Sequence, residues 1–471
     1  MYRLSFLLGT MVLAVGPQRL APPSTTIDAT RHPAVFPPDS ALLTEIADTL
    51  RAIAQLPGLS IAALADQRVV YARGFGFRDI AAARLVDSST QFNAASVSKV
   101  ITATAALHLH QAGRMRLDDP VQRFIPGFPD STDGITPRRL AAHLSGLPHY
   151  GPGYAAPDTR FTDVVTALDV FARQPRVGPP GGQYFYSTHG FTLLSACVQV
   201  AAGRPFLDVL RTDVFEPLDM PNSGPMRREA PTPTTTRAYE RVQGRLSLLA
   251  SHREYSYSWA GAGLRTTPAD LVRMSRAYFH GYLADSVVRV AFTEQRTLAG
   301  APTGVGFAWR VGTDFAGRRI VHHAGSNDGA RSMLLLYPDE RRALAFQTNV
   351  QWVVSVEPTA AVMAEAFFRS DRTAPTLRVN GRWSGSFDGA AASGEWEMHG
   401  AHGWITTPSG FAALLARDGV SVPRLPVRAI REGVYALITP WGLYPLRVDG
   451  SGTRVTATVD IGTRAWRMRA E

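Results

Sequence analysis

The chain has 471 residues, of which 45% are hydrophobic, 9% aromatic and 19% charged, and these values exclude a disordered or fibrous protein. Its net charge of +10 is carried by arginines in scattered pairs such as Arg138-Arg139 and Arg341-Arg342. Runs of basic residues interleaved with aromatics, which a nucleic-acid groove would need, are missing.

Taken in chain order, residues 1–22 open with Arg3 and an apolar stretch from Leu4 to Val15, shorter than the ~20 residues of a membrane-spanning helix. This pattern predicts a secretory signal peptide and an exported, periplasmic or extracellular protein, with an uncleaved N-terminal membrane anchor as the alternative. Residues 23–40, rich in Pro, Thr and Ser, read as a linker. A first helix is expected over Ser40 to Gln55. The β-prone runs Leu59–Ala65 and Arg68–Phe77, separated by Asp66-Gln67, predict a hairpin.

Good helix formers from Ser96 to Ala112, stopped by Gly113, place Ser96 at a helix start. Asp118 to about Ser258 mixes short helices with Pro/Gly loops and reads as a mainly helical insertion. A helix opens at Ala269-Asp270, and strand patterning returns at Gly306–Val311, Arg319–His323, Arg331–Tyr337 and Arg342–Val350. A helix at Pro358–Arg369 closes a unit spanning 41–370. After the junction Ser370–Pro375, residues 376–471 carry strand after strand with Gly-rich turns, which predicts a separate small all-β unit, a lipocalin-like barrel or a sandwich. Cys197, the one cysteine, lies in an apolar run and reads as a buried structural thiol.

The residue that stands out is Lys99. Lys and Arg together number 49, and Lys99 is the only lysine. A lysine can serve as a base once its ammonium loses a proton, whereas a guanidinium stays protonated in proteins. Lys99 follows Ser96 by three residues, and on a helix that spacing puts hydroxyl and amine on one face. For Lys99 to act near neutrality its pKa must come down from about 10.4, which requires burial or nearby positive charge. A serine at a helix start also offers its own backbone N–H to an oxyanion.

The run Asn93-Ala94-Ala95-Ser96-Val97-Ser98-Lys99 resembles the nucleophile motif of the serine β-lactamase and penicillin-binding-protein superfamily, nearest its class C type. Tyr186-Ser187-Thr188 is similar to that family's Tyr-x-Asn element, with Thr188 in place of the asparagine. His323-Ala324-Gly325-Ser326 is similar to its Lys/His-x-Gly strand. Ala142 to Pro148, Ala260 to Leu271 and Gly306-Phe307-Ala308-Trp309 match further segments in the family's order. Within the superfamily the chain looks most like the mitochondrial serine β-lactamase-like proteases and their bacterial relatives.

The resemblance implies a β-lactamase/transpeptidase-like α/β (α+β) fold: an antiparallel sheet flanked by helices, with the helical insertion and the C-terminal all-β unit appended. It implies Ser96, Lys99, Tyr186 and His323 as catalytic residues, and Thr188, Gly325 and Ser326 as substrate-binding, with the Ser326 N–H completing an oxyanion hole. No metal and no cofactor is expected. The expected partner is a small-molecule or peptide substrate, with no nucleic acid, and oligomeric state is left open. The expected activity is hydrolysis of an ester or amide bond through an acyl-enzyme on Ser96. A β-lactamase, a D-Ala-D-Ala carboxypeptidase and a non-catalytic scaffold on the same fold are the alternatives.

Overall fold

A computed structural model describes residues 39–470 except 130–133, 151–154, 229–231, 243, 250–252, 370–376 and 452–453. The expected signal segment 1–22, the linker up to residue 38 and the junction Ser370–Pro375 therefore lie outside the described residues.

The helix Ser40–Ile53 begins on Asp39, whose carboxylate accepts from Leu42 N at 3.0 Å. Its apolar residues Leu43, Ile46, Ala47 and Leu50 recur at helical spacing and are all buried. The expected hairpin follows as Gly58–Ala65 and Arg68–Asp79. Asp66 and Gln67 both adopt positive φ (47° and 66°), the left-handed pair that a tight hairpin turn matching strand twist requires.

These two strands belong to a seven-stranded antiparallel sheet. Its order is Arg84–Leu85, Arg68–Asp79, Gly58–Ala65, Arg342–Thr348, Ala330–Tyr337, Arg319–Asn327 and Arg310–Thr313. Alternate residues of each strand feed two cores. Leu334 and Leu336 join Ala343, Ala345, Ala62 and Leu64 on one face, packed by the helix Pro268–Met274 in a core that continues through the helices Ser98–Gln111 and Thr188–Ala202. Met333, Leu335 and Tyr337 join Leu344, Phe346 and Ile61 on the other, against the helices Ser40–Ile53 and Val356–Phe368. The helical insertion lies mostly as expected, but it also contains the hairpin Tyr239–Val242 and Arg245–Leu248, which alternation had not revealed. Gly306–Ala308 is not strand, because Ala308 turns to φ +72° before the short edge strand Arg310–Thr313. Among the described residues no single helix is long and apolar enough to cross a membrane.

Residues Val379–Ala470 form a closed eight-stranded barrel whose strands pair in chain order, with the first pairing the last. Its interior is filled by side chains, among them Trp383, Trp396 and Trp466, rather than left open. Strand Val434–Thr439 is buried throughout because it faces two ways. Tyr435 and Leu437 point into the barrel, while Val434, Ala436 and Ile438 pack into the core around the helices Ser40–Ile53 and Val356–Phe368. Glu365 bridges the two bodies, 2.7 Å from Arg318 and 2.5 Å from Arg431 of the barrel.

Candidate active site

The turn that carries Ser96 is built by its neighbours. Asn93 Oδ1 accepts from Ala95 N at 2.7 Å, and Ala95 is held at φ +47°, a conformation that an L-residue adopts only when its surroundings impose it. Ala95–Val97 make one 3₁₀ turn that runs directly into the helix Ser98–Gln111, so the hydroxyl of Ser96 projects from the helix start into the cleft. Ser96 is partly exposed, whereas its neighbours Ala95 and Val97 are buried.

One turn on, Lys99 is 0% exposed. Its Nζ lies 3.1 Å from Ser96 Oγ and 3.2 Å from Thr188 Oγ1, and it donates to the Gly261 carbonyl at 2.6 Å. The ring of Tyr186 faces it at 4.7 Å and that of Phe191 at 5.5 Å. Burial, and after it the Arg310 guanidinium, holds the Lys99 ammonium well below the ordinary lysine value. An amine so placed, with its pKa lowered, is chemically able to accept a proton from Ser96.

Tyr186 OH donates to Ser96 Oγ at 2.8 Å. Burial pushes its phenol up to about 12, so it stands as a neutral donor rather than a phenolate base. Ser187 caps the helix Thr188–Ala202 through its hydroxyl, which accepts from Gly190 N at 3.0 Å. That cap fixes Tyr186 and Thr188 on either side of it.

Strand Arg319–Asn327 forms the opposite wall. His323 and Gly325 lie on the face toward the Ser96 helix, opposite Leu334 and Ser332 in register. A Cβ on Gly325 would fall 2.6 Å from the Ala94 carbonyl oxygen and 3.1 Å from Ala95 Cβ, so only glycine lets the strand pass this close to the Ser96 turn. Ser332 Oγ donates to Ala94 O at 2.5 Å and ties the next strand to the same turn. His323 Nδ1 lies 2.7 Å from the Ala324 carbonyl, and its pKa is depressed by burial and then by Lys99 and Arg310. It is therefore a neutral imidazole with Nδ1–H donated to that carbonyl. His322, on the other face, is held to about 3 by burial and Arg310.

Residues 43–367 match the family model described as Beta-lactamase, which is well over half of the chain. The chain belongs to the Beta-lactamase family. It is 25% identical over 379 residues to the human "Serine beta-lactamase-like protein LACTB, mitochondrial", covering 60% of this chain and 69% of that protein. It is 28% identical over 313 residues to "Penicillin-binding protein 4*" of Bacillus subtilis, covering 63% and 69%. Among solved structures it is similar in fold to the octameric penicillin-binding protein homologue from Pyrococcus abyssi, with TM-score 0.58 and 19% identity over 92% of this chain and 100% of that one.

Within this Beta-lactamase-family fold, Ser96, Lys99 and Tyr186 are in direct contact, and His323 and Gly325 line the same site. Ser326 follows on the strand with an exposed side chain. Thr188, expected to bind substrate, has its hydroxyl 3.2 Å from Lys99 Nζ and is 1% exposed. Sequence reasoning gave no role to Gly261, whose carbonyl anchors the amine, to Arg310, or to His143 and His149, whose Nδ1 atoms accept from Ser187 N at 3.1 Å and Thr188 N at 3.3 Å. The signal was present for most of them. Gly261, Arg310 and His143 lie in or beside segments that match the family, but sequence separations of 162 for Lys99–Gly261 and 44 for Ser187–His143 hide such contacts.

Proposed function

We propose that this serine hydrolase of the Beta-lactamase fold is a peptidase or esterase working through an acyl-enzyme on Ser96. The observation that carries the reading is the contact of Ser96 Oγ with a buried amine at 3.1 Å and a neutral phenol at 2.8 Å. Ser96 Oγ attacks the substrate carbonyl carbon while its proton passes to Lys99 Nζ. The Ser96 and Ser326 N–H groups receive the oxyanion. On collapse the bond to the leaving group breaks, and Tyr186 delivers it a proton and is reprotonated from Lys99. Water then attacks the acyl carbon, passing its proton to Lys99, which returns it to Ser96 Oγ as the acid is released.

Amide or peptide substrates are supported by the strand Arg319–Asn327. Its outer edge pairs with Arg310–Thr313 only through His322, so from His323 to Asn327 that edge has no strand partner among the described residues. An extended substrate can lie there. Arg310, with no carboxylate in contact with it among the described residues and within electrostatic reach of Lys99, Tyr186 and His323, is the arginine best placed to hold a substrate carboxylate. Export by the 1–22 segment completes the proposal and rests on Arg3 and the apolar Leu4–Val15.

The test is a panel of p-nitrophenyl acetate, D-alanyl-p-nitroanilide and nitrocefin, each with wild-type protein and Ser96→Ala. Turnover of ester and anilide, lost in Ser96→Ala, with little nitrocefin cleavage is the expected result. Nitrocefin as the fastest of the three would make the protein a β-lactamase, and no turnover of any would overturn the hydrolase reading.

A further inference from the structure

We propose that His143 is a positioning residue for Tyr186, holding its hydroxyl on Ser96 by clamping the backbone on both sides of it. Four observations meet at this side chain. The His143 carbonyl accepts from Phe185 N at 2.9 Å, immediately before Tyr186, and His143 Nδ1 accepts from Ser187 N at 3.1 Å, immediately after it. The imidazole lies against the Tyr186 ring with centroids 4.4 Å apart, and it is wedged from behind by Tyr184 at 5.6 Å and Phe191 at 5.4 Å. The residue is 2% exposed and sits at φ +58°, a conformation that asparagine tolerates and most side chains do not.

The chemistry requires a histidine in one tautomer. Nδ1 must keep its lone pair to receive Ser187 N–H, so the ring proton is on Nε2. The imidazole is held neutral chiefly by burial. Protonation, or loss of the acceptor, would leave a buried N–H unpaired next to Tyr186 and free the phenol to swing off Ser96. The loop continues the grip on the next residues. Ser187 Oγ donates to Pro148 O at 2.7 Å and Thr188 N to His149 Nδ1 at 3.3 Å, so the segment from His143 to His149 holds the whole tyrosine element.

This inference rests on Tyr186 acting as proton donor to the leaving group, and the experiment separates the two. Rates on D-alanyl-p-nitroanilide, whose leaving amine must be protonated, and on p-nitrophenyl acetate, whose phenolate need not be, are compared for wild type, His143→Ala, Tyr186→Phe and the double variant. His143→Ala is expected to lower kcat on the anilide about 30-fold, with KM little changed and the ester hardly affected. The double variant should match Tyr186→Phe within about twofold, because a clamp has nothing to hold once the hydroxyl is gone. His143→Asn, which keeps an acceptor at the Nδ1 position and suits the left-handed backbone, should retain most of the anilide rate.

Should His143→Ala not fold, His143→Phe, which keeps the ring and loses the acceptor, is read by the same comparisons. An equal loss on both substrates, or the same loss again in the Tyr186→Phe background, would overturn the proposal. If Tyr186→Phe itself is fully active on the anilide, the donor role fails and the clamp with it. Turnover of neither probe by wild type would remove the hydrolase reading beneath both.

Discussion

Lys99 Nζ donates to the carbonyl of Gly261 at 2.6 Å, inside a pocket that leaves the lysine no exposed surface. The carbonyl can only accept, so one proton of the amine is committed to it. The Ser96 and Thr188 hydroxyls at 3.1 and 3.2 Å can rotate, and a neutral amine can therefore accept from one while donating to the other. The site can thus hold an uncharged lysine without leaving its amine unpaired.

Replacing the amine by an apolar chain of similar length tests this directly. Lys99→Met is expected to lower kcat/KM on p-nitrophenyl acetate by about 10² to 10⁴, the range of a general base, while circular dichroism stays native. Activity within tenfold of wild type would move the base role elsewhere.

The pH profile follows from the same group. Lys99 must be neutral to act, so activity should rise with pH along a limb whose midpoint lies below the ordinary lysine value of about 10.4. Arg310→Gln removes a cation that helps depress this pKa and should move the limb to higher pH by about half a unit, roughly threefold in rate on the limb. A limb that stays in place or moves down would contradict the assignment. The stability effect has a fixed sign. Between the depressed folded value and the unfolded one the unfolded chain binds more protons, so this lysine makes stability increase with pH across that window.

Gly325 offers a steric test of the oxyanion wall. In Gly325→Ala the new Cβ would meet Ser332 Oγ at 2.1 Å and Ala94 O at 2.6 Å, and the strand must move away from the nucleophile turn. Fluorophosphonate labelling of Ser96 should slow by about 10², the scale of losing one oxyanion donor, with a lowered Tm from overpacking. Normal labelling would show that the strand's approach is not needed.

Much of this site was legible in the sequence, for a physical reason. A three-residue spacing on a helix fixes geometry locally, so Ser96 and Lys99 could be paired without a fold. The start of the helix and the stop at Gly113, where φ is +69°, were equally local. The clamp from His143, the Gly261 carbonyl and the Arg310 field depend on tertiary closure, and no periodicity encodes them. The barrel shows the same division. Its strands were readable from alternation, but Val434–Thr439 is apolar at almost every position because it is buried on both faces, and that second face was visible only once it met the helices Ser40–Ile53 and Val356–Phe368.

That shared face carries its own expectation. Glu365, its side chain 6% exposed, is paired to Arg318 and to Arg431 of the barrel. Glu365→Ala takes this carboxylate from Arg431 while Arg318 keeps Asp314 at 2.6 Å, and should cost about 2 kcal/mol in urea unfolding. A cost under about 0.5 kcal/mol would mean that this ion-pair cluster adds nothing measurable to the barrel's attachment.

In the proposed mechanism Ser96 is the acylated nucleophile and Lys99 makes it so. Intact-mass analysis of the protein after treatment with a fluorophosphonate, followed by peptide mapping, tests it most directly. One adduct is expected, located on Ser96, absent from Ser96→Ala and formed far more slowly in Lys99→Met. An adduct on another serine, or equal labelling of Ser96 in wild type and Lys99→Met, would contradict it.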